Sequence, residues 1–332
     1  MIVIDADVLG RNRTGDETYV ENLLRELPVV APDLRFAALT RHPELVPDGV
    51  EPIHVPARLQ EVRMAVRLPL LLRRLRPRLV HFVHALPPAL PCPAVLTVQD
   101  LSFERDATLM GRRETAIFRA TVPRSARRAD RVLAISQRTK ADLIELYALP
   151  PERIVVTPLA ADPIFHPGGT PSDYVLLVGS VEARKRPLVA ADAARAVGRR
   201  LVVVGPERDA SLAAALRAGG AELRGFVPKD ELVRLYQAAA AVLLPTRYEG
   251  FGLTVAEAMA CGTPVVAAPD PAVREVGGDA IAYAEASIFS EVVRDVLGDR
   301  DRWSRAGLER SRTLSWTRTA ELTAAVYREV LS

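Results

Sequence analysis

Glu249 and Glu257 stand with seven residues between them in the stretch AVLLPTRYEGFGLTVAEAMACGTPVV, residues 241–266. Glu249 falls in a loop with Gly250, Phe251 and Gly252, and Glu257 in the first turns of a helix expected around Val255 to Ala260. The apolar runs at 242–244 and from Pro264 read as buried strands on either side. Strand, glycine loop, helix start and strand make the local geometry of a phosphate or nucleotide site. Glycine lets the backbone approach a ligand, and the first turn of a helix offers N–H groups with no intrahelical partner. A phosphate held at Gly252, Leu253 and Thr254 needs no side-chain charge. Glu257 could accept hydrogen bonds from ribose hydroxyls. Taken singly, Glu249 is an ordinary loop acid and Glu257 an ordinary helix-start acid. It is their company that describes a ligand site.

That company includes two adjacent cations, Arg184 and Lys185, in VGSVEARKRP, which follows a strand ending at Val178-Gly179. An Arg-Lys pair suits a diphosphate, whose charge it neutralises as the group leaves. The chain has 41 Arg and only three Lys, so composition alone would have put arginine at position 185. Gly205-Pro206 and Gly225-Phe226-Val227 mark further strand ends with permissive turns.

The elements that must position these residues follow an alternation of short apolar runs and helical periodicity, the pattern of βαβ units. With 332 residues the chain exceeds one ordinary core. The fold class is therefore α/β: two Rossmann-like, doubly wound domains of mostly parallel sheet, with the ligand expected in the cleft between them. The boundaries read as 1–165 for the first domain, 166–173 for a linker overlapping the aperiodic DPIFHPGGTPS (162–172), and 174–312 for the second, with a final helical segment over 313–332. In the first domain, GRNRTGDET reads as a loop after the first strand. Arg58 to Arg76 reads as an amphipathic, arginine-rich helix interrupted near Pro69.

The net charge of +3 is unevenly spread: residues 58–138 hold 16 basic and 6 acidic side chains. That excess fits an anionic partner such as a membrane surface, or simply an arginine-rich composition. The basic stretches lack interleaved aromatics, and aromatics make up 5% of the chain, which argues against nucleic acid. No apolar run approaches the ~18 residues of a membrane span. MIVIDADVLG reaches acidic residues too early for a secretory signal. Two distant cysteines, Cys92 and Cys261, fit a reducing cytoplasm, with peripheral contact at the inner face of the membrane left open. The five histidines give no zinc spacing with them, so no metal is expected.

At this point the chain resembles a known family. EGFGLTVAEAMACGTPVV looks like the signature of glycosyltransferase family 4, the retaining enzymes of GT-B architecture. VGSVEARKRP resembles its donor-phosphate segment. LRGFVPKDELVRLYQAAAAVLLPT and DPAVREVGGDA resemble the stretches before and after the acid pair. SWTRTAELTAAVYREVL resembles a closing helix that packs back on the N-terminal domain. The likeness spans nearly the whole chain and is most specific over 174–283.

The resemblance implies an N-terminal acceptor-binding domain and a C-terminal domain for a nucleotide-diphosphate sugar, of the GDP-mannose or UDP-glucose type. The sugar nucleotide is a donor substrate, and no cofactor or metal is implied. Arg184, Lys185 and Glu249 would serve the reaction. Gly15, Gly179, Phe226, Val227, Gly250, Phe251, Gly252, Leu253, Thr254 and Glu257 would bind the donor. The acceptor would be a hydroxyl of a glycan, glycolipid or small molecule. Two departures stand out. Asp16 and Glu17 make the loop around Gly15 more acidic than the family pattern, which reads as a reflection of the acceptor. Gln99 with Asp100, in VQDLSFERD, stands where the family shows His-Asp, and Gln99 can hydrogen-bond but carry no charge. His84, ending its strand in HFVHALPP, could supply the imidazole. The competing readings are a non-catalytic sugar-nucleotide-binding regulator or partner of another transferase, and a GT-B-like epimerase or phosphorylase.

Overall fold

The computed structural model describes residues 1–11, 14–56, 59–105 and 112–332, without the side chains of Thr14, Arg112 and Glu114. It divides into two compact units, residues 1–159 with 315–332, and residues 160–314.

Unit 1 is built on a seven-stranded sheet in the order β3-β2-β1-β4-β5-β6-β7. The strands are β1 (Ile2–Asp5), β2 (Phe36–Thr40), β3 (Val50–His54), β4 (Leu79–Val83), β5 (Ala94–Val98), β6 (Arg131–Ala134) and β7 (Ile154–Val156). Every pairing is parallel. Strands such as FAALT and AVLTV are buried along their whole length, as expected when helices cover both faces of a parallel sheet. Helices α1 (Thr14–Val30), α5 (Arg112–Arg128) and α6 (Gln137–Tyr147) connect strands, and α4 (Ser102–Arg105) is a single turn after β5.

The arginine-rich helix before β4 runs from Gln60 to Leu75 in three pieces: α2 (Gln60–Val62), a π-helical stretch Arg63–Arg67, and α3 (Leu68–Leu75). The interruption expected near Pro69 lies one turn earlier. Pro69 has no N–H to give Ala65 and its ring crowds that carbonyl, so the wider π turn accommodates it. Arg58, the expected start, lies outside the described residues. The π stretch turns Arg63 inward, fully buried, against Asp5 and Asp7.

The final helix, α14 (Trp316–Leu331), belongs to unit 1. It packs along α1, with Trp316 tilted against Tyr19 and Arg328 paired to Asp33 at 2.6 Å. Tyr327 reaches the core, where its hydroxyl lies 2.6 Å from His81 Nδ1. His81 Nε2 lies 2.7 Å from Thr97 Oγ1, and Tyr19 OH 2.8 Å from the same oxygen. This buried polar chain joins α14, β4, β5 and α1. Burial pushes the His81 imidazole down to about 3, so it is neutral.

Unit 2 carries a six-stranded sheet in the order β10-β9-β8-β11-β12-β13, again parallel throughout. Its strands are β8 (Tyr174–Val178), β9 (Arg200–Val204), β10 (Glu222–Leu223), β11 (Val242–Leu244), β12 (Val265–Ala267) and β13 (Ala282–Tyr283). Helices α7 (Pro187–Ala196), α8 (Ala210–Ala218), α9 (Lys229–Ala238), α10 (Leu253–Ala260), α11 (Pro271–Gly277), α12 (Phe289–Gly298) and α13 (Arg300–Ser311) cover it. The segment expected as a linker, 166–173, is instead part of this unit. Gln237 Nε2 donates to the His166 carbonyl at 2.8 Å, and Ser172 N to the Ala238 carbonyl at 2.7 Å, so α9 holds it in place. No helix among the described residues is long and apolar enough to cross a membrane.

Candidate functional site

In unit 2 the strand order reverses between β8 and β11, the place where open α/β sheets bind ligands beyond the carboxyl ends of their strands. The segments that leave these two strands are laced together. After β8 the chain passes Gly179 and enters a 3-10 turn, Ala183–Lys185. After β11 it forms the loop that holds Glu249. Arg247 N donates to the Arg184 carbonyl at 2.9 Å, and Arg184 Nη1 returns a bond to the Tyr248 carbonyl at 2.7 Å. Lys185 Nζ donates to Glu249 Oε1 at 2.6 Å, while Arg184 Nη1 lies 3.7 Å from Glu249 Oε2.

Lys185 and Glu249 are each only 9% exposed. Burial pushes the Glu249 carboxyl up, but Lys185 and Arg184 outweigh it and hold the group below its ordinary range, hence ionised. Arg184 also pairs with Glu182 at 2.9 Å. The two cations are therefore presented with two carboxylates already on them. Sequence reasoning missed Glu182, although its place two residues before Arg184 was a signal.

Glycine is required where these turns meet. Gly205 ends β9 at φ +143°, and a Cβ built there would lie 2.2 Å from the Gly179 carbonyl oxygen. Gly252 adopts φ +105° as the N-cap of α10, and no side chain caps the helix. The N–H groups of Leu253 and Thr254 thus have no intrahelical acceptor, whereas Val255 N already donates to the Gly252 carbonyl at 2.9 Å. Phe251 is buried beneath them, and Gly250 precedes it in the same loop.

Glu257 lies one turn into α10. Tyr236, on α9, donates its hydroxyl to Glu257 Oε2 at 2.7 Å. Burial lifts the Glu257 carboxyl to about 7; the Tyr236 bond works against that rise, Asp162 adds to it, and Lys229 opposes it. Asp162 and Lys229 pair with each other at 3.0 Å. Nothing in the sequence pointed to Tyr236, Asp162 or Lys229. Just after β10, Gly225 (φ +63°) is followed by Phe226, which is 53% exposed, and by buried Val227.

Unit 1 gathers a second group of expected residues. Gly15 lies in the first turn of α1, not in a loop as expected. Asp16 and Glu17 explain this, because acids favour a helix N-terminus and Glu17 Oε1 accepts from Gly10 N at 2.6 Å. A Cβ on Gly15 would meet Gln99 Oε1 at 3.8 Å, so the Gln99 side chain lies beside that turn. Gln99 is 8% exposed, and its buried Nε2 has no hydrogen-bond partner among the described residues. His84 sits at φ +63° with Nε2 3.8 Å from Asp16 Oδ1 and its ring against Phe118. Asp100 is placed differently: its Oδ1 accepts from Ser102 N and Oγ at 3.0 and 2.9 Å, so it serves the α4 turn.

Comparisons with known proteins agree with this geometry. Residues 13–164 match the model of Glycosyltransferase Family 4, and residues 172–299 that of Glycosyl transferases group 1. A D-inositol 3-phosphate glycosyltransferase of Catenulispora acidiphila is 32% identical over 280 residues, 72% of this chain and 67% of the relative. A protein of the same name from Nocardia farcinica is 34% identical over 232 residues, 58% of this chain but only 51% of the relative's length. An O-antigen chain mannosyltransferase of Escherichia coli is 28% identical over 71% of this chain and 70% of its own. Among solved structures, sucrose-phosphate synthase from Thermosynechococcus elongatus superposes with a TM-score of 0.78 at 17% identity, covering 99% of this chain and 98% of that one. The lipopolysaccharide glycosyltransferase WaaG gives 0.74 at 19% identity, covering 98% and 99%. Two parallel-sheet Rossmann-like units, the architecture of GT-B glycosyltransferases, and both family models place this chain in glycosyltransferase family 4, the group 1 glycosyl transferases.

Proposed function

We propose that the protein is a retaining glycosyltransferase that moves a hexose from a nucleotide-diphosphate sugar to a hydroxyl of a glycan, glycolipid or small molecule. The observation that carries this reading is the lacing of Arg184 and Lys185 to the Glu249 loop beside the uncapped start of α10, at the β8/β11 switch point. Relatives named as inositol-phosphate glycosyltransferases and a mannosyltransferase support it, as does a neighbour from Anabaena whose structure holds UDP-glucose.

In this reading the diphosphate lies on Arg184, Lys185 and the N–H groups of Gly252, Leu253 and Thr254, with Gly179 and Gly250 leaving room for it. Glu257 accepts the ribose hydroxyls, and Phe226 with Val227 lies beside the base. Glu249, kept ionised by its cations, accepts hydroxyls of the transferred sugar. Within unit 1, Gly15 leaves its backbone open beside the Gln99 side chain, and His84 and Gln99 serve the acceptor side, where the Gln99 Nε2 donor needs an oxygen.

The bond from the anomeric carbon to the diphosphate breaks while the acceptor oxygen bonds to that carbon from the same face. The acceptor proton passes to the departing phosphate oxygen, so no protein base is required. Cations and backbone N–H groups take up the leaving charge.

The test is a screen of nucleotide sugars for binding, by thermal shift, and for hydrolysis or transfer, with the product anomer read by NMR. Transfer with retained configuration is expected. Binding without turnover on any acceptor would favour a non-catalytic sugar-nucleotide-binding regulator, and an inverted product would overturn the same-face mechanism.

A further inference from the structure

We propose that the outer face of the helix Gln60 to Leu75 in unit 1 is a docking surface for an anionic lipid bilayer. Leu59, Val62, Val66 and Leu70 are 62, 45, 51 and 54% exposed. The spacing of four residues stacks Val62, Val66 and Leu70 along one side of the helix, and Leu59 is the extended residue just before it. Single exposed apolar side chains are ordinary on a protein surface, whereas a continuous row marks an interaction site.

The row faces outward because the opposite side is committed. Leu68, Pro69 and Leu72 are buried, and fully buried Arg63 is held by Asp5 and Asp7. Rolling the row into the core would withdraw that arginine from two carboxylates and leave charges buried without partners.

Charge selects the partner. Arg67, Arg73 and Arg74 are exposed on this helix and form no ion pair among the described residues. Between residues 59 and 78 the sole acid is Glu61, which is 3.6 Å from Arg113. An apolar row flanked by unpaired arginines is what an interfacial helix presents: the row enters the acyl boundary while guanidinium groups meet lipid phosphates. Beside the row runs a groove of about 620 Å³ that shares Leu59, Val62 and Arg67 with it. Arg41 also lines it but is already held by Asp7 at 2.8 Å, so it is Arg67 that a phosphate headgroup would meet beside the apolar wall. Part of the remaining basic region also bonds backbone carbonyls. On α5, Arg119, Arg127 and Arg128 donate to the carbonyls of Phe103, Tyr147 and Pro88.

Flotation of the full chain with phosphatidylglycerol vesicles tests the proposal. Wild type is expected to float at low salt, to lose most binding at high salt, and to stay below with pure phosphatidylcholine. Each exposed arginine near an anionic surface strengthens binding about fivefold, so R67Q/R73Q/R74Q should weaken it about a hundredfold. V62S/V66S/L70S should leave only weak, salt-sensitive binding. Circular dichroism and thermal unfolding confirm that both variants fold, and both should bind nucleotide like wild type. Flotation reads this surface even in a chain that transfers no sugar, so its failure and that of the catalytic reading are distinguishable. The proposal is overturned if wild type fails to float with anionic vesicles at low salt, or if both triple variants float like wild type. It is also overturned if light scattering finds a dimer that V62S/V66S/L70S dissociates, which would seat a second copy on the face.

Discussion

Lys185 Nζ donates to Glu249 Oε1 at 2.6 Å across 64 positions of sequence. Removing the lysine leaves a buried carboxylate with Arg184 only at 3.7 Å. Breaking one side of a buried pair costs about 3–5 kcal/mol, more than the pair itself contributes. K185M should therefore lower unfolding free energy by about 3 kcal/mol, and K185M/E249Q should recover most of that loss. Urea unfolding of the three variants checks this. A double variant no more stable than K185M would show that the pair is not coupled.

In the proposed reading, Glu257 gives donor binding a pH dependence. Its carboxyl, lifted by burial to about 7, is ionised only above neutrality, and the ionised form is the better acceptor for ribose hydroxyls. Nucleotide affinity should rise as pH passes upward through about 7 and should stay flat in E257Q. For the free protein the sign is opposite. A carboxyl whose folded value is raised contributes stability below its unfolded value and loses it as pH climbs toward 7. Titration calorimetry across that window measures the first effect, and urea midpoints the second.

Tyr236 tunes this step. Its hydroxyl, 2.7 Å from Glu257 Oε2, favours the ionised carboxylate. Y236F should shift the affinity profile toward higher pH, with little change well above it, where Glu257 is ionised in either protein. An unshifted profile would remove Tyr236 from the account.

In unit 1, Tyr327 holds His81 Nδ1 inside the core. Y327F leaves that nitrogen buried without its partner, at a cost of about 1–3 kcal/mol. Thermal unfolding should register the loss, while nucleotide binding, which the proposed function assigns to unit 2, should not change.

Much of this was legible in the sequence because the motif EGFGLTVAEAMACGTPVV is local. Gly252, the start of α10 and Glu257 lie within nine residues of Glu249, so their geometry follows from strand, turn and helix rules. Tyr236 was illegible because its role depends on α9 packing against α10, which no spacing along the chain encodes. The acids at 16 and 17 looked like acceptor chemistry, yet the first turn of α1 accounts for them locally. The segment 166–173 looked like a linker because proline and glycine mark any aperiodic stretch, bound or free. Its bonds to Gln237 and Ala238 come from tertiary packing.

The most direct test of the central claim, a nucleotide diphosphate held by Lys185 and Glu257 in unit 2, is calorimetric titration with uridine and guanosine diphosphates. Wild type should bind at least one of them. K185A and E257A, each folded by circular dichroism, should each weaken that binding tenfold or more, about 1.4 kcal/mol. Equal affinity in wild type and both variants would contradict the assignment.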